Sequence, residues 1–244
     1  MKSTIRRATS LREDDIRELW RFRLELVRLK PTVGPEQDFA AFADDFRWPG
    51  FVWILRDRGR VAGFFLQRGV PMRWAGRPIL CLLPEYGFVA PHLRGRPIVP
   101  LAALLITLLC IGRHPLRPRY VAASTYPPGY VAFRRAIRPF WTVGAPDLPP
   151  RERDLLLHLG ARVSGDKFRP EDGTVDMRTI PIVTREPGES GDPESRRLYA
   201  AYAAANPEWR AGRGLFFLFP LGAAQIARVV VHAGERLFAR RRGG

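Results

Sequence analysis

The chain predicts an α/β (α+β) fold: a mixed, mostly antiparallel central sheet flanked by helices, plus a C-terminal helical extension. Three observations carry this expectation. A short first strand is followed by residues with helical periodicity. Three strand-like segments then succeed one another across short turn signals, as in an antiparallel meander. An apolar run of helix length lies between two further strands.

Ser3 to Ala8 forms the first strand, and Asp14 or Asp15 starts the helix that follows. Ile16, Leu19, Trp20, Arg23, Leu24 and Val27 recur at three- and four-residue spacing, which predicts a helix to near Pro31. A second helix follows Pro35, with Phe39, Phe42, Ala43 and Phe46 on one face, and Trp48-Pro49-Gly50 breaks it. Phe51 to Leu55, Val61 to Gln67 and Ile79 to Val89 are strands, separated by turn signals at residues 57–60 and 75–78. After the loop His92 to Arg96, Ile98 to Ile111 is an apolar helix stopped by Gly112 and Pro115. Tyr120 to Ser124 is a buried strand, Tyr130 to Ile137 a short helix, and Phe140 to Val143 a strand. Leu155 to Leu159 is helical in pattern and Thr174 to Val183 alternates as a strand does.

This organisation divides the chain into a domain over 1–183, a linker over 184–194 rich in Gly, Pro, Ser and acid, and a basic amphipathic helical extension over 195–244. Helices are expected over Ser195 to Ala205 and Leu221 to Arg241.

A hydrophobic fraction of 46% and a charged fraction of 26% over 244 residues exclude a wholly disordered chain. The net charge is +16, nearly all from arginine. That charge has two readings: attraction to an anion, or an Arg-Ala-Gly-Pro compositional bias. Nucleic acid ranks last as a partner, because aromatic residues do not interleave with the basic clusters. Cys81 and Cys110 sit in apolar surroundings and read as buried hydrophobes of a reducing, cytoplasmic compartment. The four histidines show no metal-ligand spacing, so no metal is expected. Neither Ile98 to Gly112 nor Leu215 to Ala224 reaches the roughly 20 residues that span a bilayer.

The element order, together with Phe88-Val89-Ala90-Pro91-His92-Leu93-Arg94-Gly95-Arg96-Pro97-Ile98, resembles the GNAT superfamily of N-acyltransferases over roughly residues 3 to 183. In that family a Val-x-Pro strand end runs into an Arg/Gln-x-x-Gly-x-Gly/Ala loop and an apolar helix. The resemblance implies that acetyl-CoA or a longer acyl-CoA is the co-substrate and a small-molecule amine or peptide the acceptor. Gly87, Phe88 and Val89 would pair with the pantetheine arm; Arg94, Gly95, Arg96, Ile98 and Val99 would surround the diphosphate, where backbone N–H groups and a helix dipole favour anions. The sequence departs from the pattern at the two glycine positions, occupied by Pro97 and Val99; proline brings no N–H. Arg94 and Arg96 are the compensating side chains.

Acyl transfer to an amine needs a base and an acid. Glu85 is the candidate base; the alternative, which the residue type favours, is a strand-end carboxylate paired with an arginine. Tyr126 and Tyr130 are candidate acids; the alternative, again the favoured one, is a half-buried packing tyrosine. The tail has two readings as well. As a basic amphipathic helix it lies on an anionic membrane, peripheral to the inner face. Otherwise it packs back on the domain or joins copies into a homo-oligomer. An N-acyltransferase at a membrane surface and a non-catalytic GNAT-like module with a binding tail therefore both follow from the sequence.

Overall fold

The computed structural model describes residues 1–94, 96, 98–182 and 192–227, and for Val99 the backbone only. Two compact units result: residues 1–26, 35–121 and 221–244 in one, and 27–34 with 122–220 in the other.

In the first unit β1 (Lys2–Arg7), α1 (Glu13–Leu24), α2 (Pro35–Asp45), β3 (Gly50–Asp57), β4 (Arg60–Trp74), β5 (Arg77–Val89) and α3 (Ile98–Gly112) follow one another. β1 pairs with β3, β3 with β4 and β4 with β5, all antiparallel. The meander forms because each turn carries the residues it needs. Arg58 and Gly59 take positive φ at the first turn, Ala75 and Gly76 at the second. β5 then pairs in parallel with the start of β6 (Arg119–Thr125), which α3 makes topologically accessible.

The two faces of this sheet are covered differently. Phe64 meets Phe22 of α1 and Phe42 of α2, and Tyr86 packs on Phe42 at 4.8 Å between ring centroids. Beneath them a buried charge cluster joins the helices: Arg23 donates twice to Asp38, at 2.9 and 3.0 Å, and Trp20 Nε1 donates to Asp38 Oδ2 at 2.7 Å. On the opposite face Thr107 of α3 donates to Gln67 Oε1 at 3.2 Å. A Cβ on Gly69 would lie 3.2 Å from that of Cys110.

The second unit holds β2 (Val27–Leu29), the end of β6, α4 (Pro127–Ala136), α5 (Pro150–Ser164), β7 (Phe168–Arg169), β8 (Thr174–Asp176), β9 (Thr179–Pro181), α6 (Pro193–Ala205) and β10 (Arg213–Pro220). The strand order is β1-β3-β4-β5-β6-β10-β8-β7, with β2 and β9 as a separate antiparallel pair. β10 pairs with β8, and β7 with β8, antiparallel. Phe217 stacks on Phe140 at 4.9 Å while Phe216 meets Phe168 edge-on at 5.6 Å, so β10 is buried on both faces.

Most predicted elements appear at the expected places, and four differ. α1 ends at Leu24 because Glu25 and Leu26 bond back to Phe22 and Arg23 in a tightened last turn. Val27, placed on its face, belongs instead to β2. Phe140 to Val143 supplies only a bridge, Trp141 to Leu218. Residues 174–183 contain two short strands, β8 and β9. In the expected helical extension, α6 covers Pro193–Ala205, but the Leu215-Phe-Phe-Leu-Phe219 cluster is β10. A strand enclosed on both faces carries a continuous apolar run, which periodicity does not separate from a buried helix. The expected helix Leu221 to Arg241 lies outside the described residues from 228 on, and the linker 184–194 does so up to 191.

Candidate active site

The site is built from the C-terminal half of β5. The β5–β6 ladder runs Leu80↔Arg119, Cys81↔Tyr120 and Leu82↔Val121, and β5 continues to Val89 with no further β6 partner among the described residues. A length of β5 edge is thus left without a strand beside it. Ala90 N donates to Ala62 O at 2.9 Å, which fixes the alternation of the β4–β5 ladder. Phe88, opposite Phe64, accordingly directs its backbone to β4, while the N–H and C=O groups of Gly87 and Val89 face the open edge. Of the three predicted pairing residues, Gly87 and Val89 turn their backbone groups to this edge, where Val89 O accepts from Arg94 Nε, and Phe88 does not. A Cβ on Gly87 would meet Phe65 at 3.4 Å, an ordinary contact, so packing does not require glycine there.

A bulge breaks the same strand. Leu66 opposes Tyr86 and Gln67 opposes Pro84, which leaves Glu85 as the extra residue. Proline cannot donate to the ladder, and bulges are among the few places where a sheet accepts it. Pro84 is the sequence signal that marks this bulge. At the bulge Tyr86 reaches the end of α2, while Glu85 pairs with Arg68 of β4. Tyr86 donates to Asp45 Oδ2 at 2.6 Å. Arg68 donates to Glu85 Oε1 through Nε at 2.8 Å and through a second nitrogen as well. Both bonds go to one oxygen, and Oε2 takes no part in the pair.

Burial raises the pKa of Glu85 above the ordinary carboxylate range, the Arg68 charge opposes this, and the nearby Asp45 charge adds to it. Arg68, Asp45 and Tyr86 are the neighbours of the candidate carboxylate that sequence reasoning missed. They converge only through strand register and the end of α2.

The loop after β5 begins with a 3-10 turn over Pro91–Leu93. Arg94 is exposed, and its Nε donates to Val89 O at 3.4 Å. Arg96 N donates to Leu93 O at 3.2 Å. Ile98 and Val99 open α3, and Ile98 lines a cleft with Ile5, Trp53, Leu101 and Leu105. Gly95 and Pro97 lie outside the described residues, as does the Val99 side chain.

The tyrosines belong to the second unit and Glu85 to the first. Tyr126 precedes α4 as its N-cap, and its hydroxyl donates to the Thr179 carbonyl. Tyr130 is buried, its ring edge-on to Phe140 at 5.4 Å and Tyr202 at 5.2 Å. Tyr202 donates to Thr125 O at 2.7 Å and accepts from Asn206 Nδ2 at 3.1 Å and Leu215 N at 3.2 Å. Burial pushes its pKa well above the ordinary phenol value. Both cysteines are buried, and burial raises Cys110 to about 11.

No family model matches this sequence, and no curated protein does. Among solved structures, an acetyltransferase of Trypanosoma brucei is similar at 22% identity over 55% of this chain and 90% of its own, with a TM-score of 0.37. The aminoglycoside N-acetyltransferase AAC(6')-Iy in complex with CoA is similar at 16% identity over 54% of this chain and 82% of its own, TM-score 0.37. An acyl-CoA N-acyltransferase of Pseudomonas aeruginosa is similar at 14% identity over 58% of this chain and 87% of its own, TM-score 0.37. No helix among the described residues is long and apolar enough to cross a membrane. The antiparallel β1-β3-β4-β5 meander is joined through α3 to a parallel β6, the element order expected from the sequence.

Proposed function

We propose that this chain is an acyl-CoA-dependent N-acyltransferase that acts on an amine. The observation that carries the reading is the open β5 edge: outward backbone groups at Gly87 and Val89, two residues from the bulged carboxylate of Glu85. An amide-bearing pantetheine arm pairs with such an edge as an added strand does. Gly87 and Val89 would hold that arm, with Arg94 and Arg96 beside the diphosphate as side-chain donors in place of the amide lost to Pro97. Bound acyl-CoA supplies an activated thioester. Glu85 accepts the proton of the amine at Oε2, directly or through a water, while Arg68 holds Oε1 and fixes the carboxylate's direction. Its raised pKa brings its basicity closer to that of the amine it relieves.

Of the two tyrosines, Tyr126 is the better candidate for a proton donor. Its hydroxyl is only part-buried, whereas Tyr130 is enclosed by rings. The acceptor is a small-molecule amine or a peptide amine.

Melting temperature measured with CoA, acetyl-CoA and longer acyl-CoAs tests the reading, because a ligand selective for the native state stabilises it. An upward shift that Arg94→Ala reduces is the expected result. No shift with any of them leaves a GNAT-type fold without a donor, the non-catalytic alternative.

A further inference from the structure

We propose that the outer face of α3 docks on an anionic lipid bilayer. This surface is separate from the C-terminal tail and its use does not depend on acyl transfer.

Most surface helices turn charged residues to water. α3 carries no charge at all along Ile98–Gly112, and among the described residues its outward side chains are leucines. Leu101, Leu105, Leu108 and Leu109 are 36, 52, 44 and 44% exposed. Their spacing of four, seven and eight residues gathers them on one stripe. Leu116, just beyond the helix, is 95% exposed and extends it. Beside Leu101 and Leu105 the stripe opens into a cleft of about 330 Å³ between α3 and β1, lined also by Ile5, Trp53, Ile98 and Ala102. None of the cleft's lining residues is charged.

The rim is basic at both ends. Arg94 and Arg96 precede the helix; Arg113 and Arg117 follow it, with the Arg113 guanidinium 5.3 Å from the centroid of the Phe51 ring. From Tyr86 through Pro146 the chain contains eight arginines and no Asp or Glu. An apolar strip bracketed by cations is the arrangement an interfacial helix uses, with leucines among the acyl chains and arginines at anionic headgroups.

Two other occupants fit less well. A second copy related by a two-fold axis would bring this all-positive rim against itself. A nucleic acid offers phosphates to the arginines but nothing for the leucines to enter. The stripe also lacks polar groups that would read a directional partner, since Thr107 is engaged with Gln67.

The test is co-sedimentation of the full chain, without acyl-CoA, with vesicles of phosphatidylcholine alone and with phosphatidylglycerol added. Binding is expected only to the anionic vesicles. The variant Leu105→Ser/Leu108→Ser/Leu109→Ser should lose about tenfold or more in affinity while keeping the wild-type circular dichroism spectrum, because these side chains are about half exposed. Arg113→Gln and Arg117→Gln should each lose about fivefold. In a second measurement, Leu108→Trp should gain a fluorescence component quenched by brominated lipid beyond any quenching of the six wild-type tryptophans. Equal binding of the triple-serine variant would overturn the proposal, since charge elsewhere would then suffice. So would a dimer that the variant converts to monomer, or loss of duplex DNA binding in parallel with loss of vesicle binding.

Discussion

At the scale of single residues, the proposed base Glu85 and its partner Arg68 carry the sharpest tests. If Glu85 is the base, Glu85→Gln should lower kcat by at least about a hundredfold, the ordinary worth of a positioned proton acceptor. It should also remove the acidic limb of the rate profile, which in wild type lies above the usual carboxylate range because burial raises the pKa. Arg68→Met removes the opposing cation and should move that limb to still higher pH. The same shift acts on stability with a definite sign. In the folded state Glu85 holds its proton more tightly than in the unfolded chain. Its contribution is therefore fully present below the unfolded carboxylate value and is lost as pH rises through the raised folded one. Chemical denaturation across that window should show a decline that Glu85→Gln flattens. Cys110 makes a simpler prediction. With its thiol pushed to about 11 and buried, it should resist alkylation at neutral pH until the protein is unfolded. The sequence placed Glu85 at a strand end, whereas it is the extra residue of a bulge inside β5, four positions before that strand stops. Neither the bulge nor Arg68 is legible in one strand alone, because a bulge is a property of two strands in register.

At the scale of elements, legibility followed period. α1, α2 and α3 were readable because three- and four-residue spacing, or its replacement by a long apolar run, survives without neighbours. β10 was not, since Leu215 to Phe219 is apolar at every position, and only its place in the sheet makes it a strand. β2 was hidden for a different reason: Val27 continues the helical spacing of α1, and pairing with β9 overrides it. One helix carries a sharp packing test. In α5, a Cβ on Gly160 would fall 2.4 Å from the Phe168 ring. Alanine favours a helix by about 1 kcal/mol over glycine, yet overpacking of this kind costs about 1–3 kcal/mol. Gly160→Ala should therefore lower the melting temperature, whereas Gly87→Ala, which meets only an ordinary contact, should leave it nearly unchanged. Between α1 and α2 the expectation is larger. Asp38→Ala strips Arg23 of the carboxylate it bonds twice in a buried setting, and should cost about 3–5 kcal/mol.

At the scale of the whole molecule, the antiparallel meander β3-β4-β5 was the most legible feature, because short turns leave few topologies open. The remainder was less so, since β7, β8 and β9 are two or three residues long and owe their conformation to partners distant in sequence. β10 sits between β6 and β8, although it is the last strand in sequence among the described residues. A protein shortened to end at residue 192 should aggregate, because β6 and β8 would then each present an unpaired edge. The measurement is the soluble fraction of shortened and full-length protein expressed side by side. In synthesis the same order imposes a delay. While the ribosome is still adding residues beyond Pro181, the gap that β10 will fill stays open. Closing it waits on a segment more than thirty positions later, so the growing polypeptide depends on protection until its last sheet-forming residues emerge.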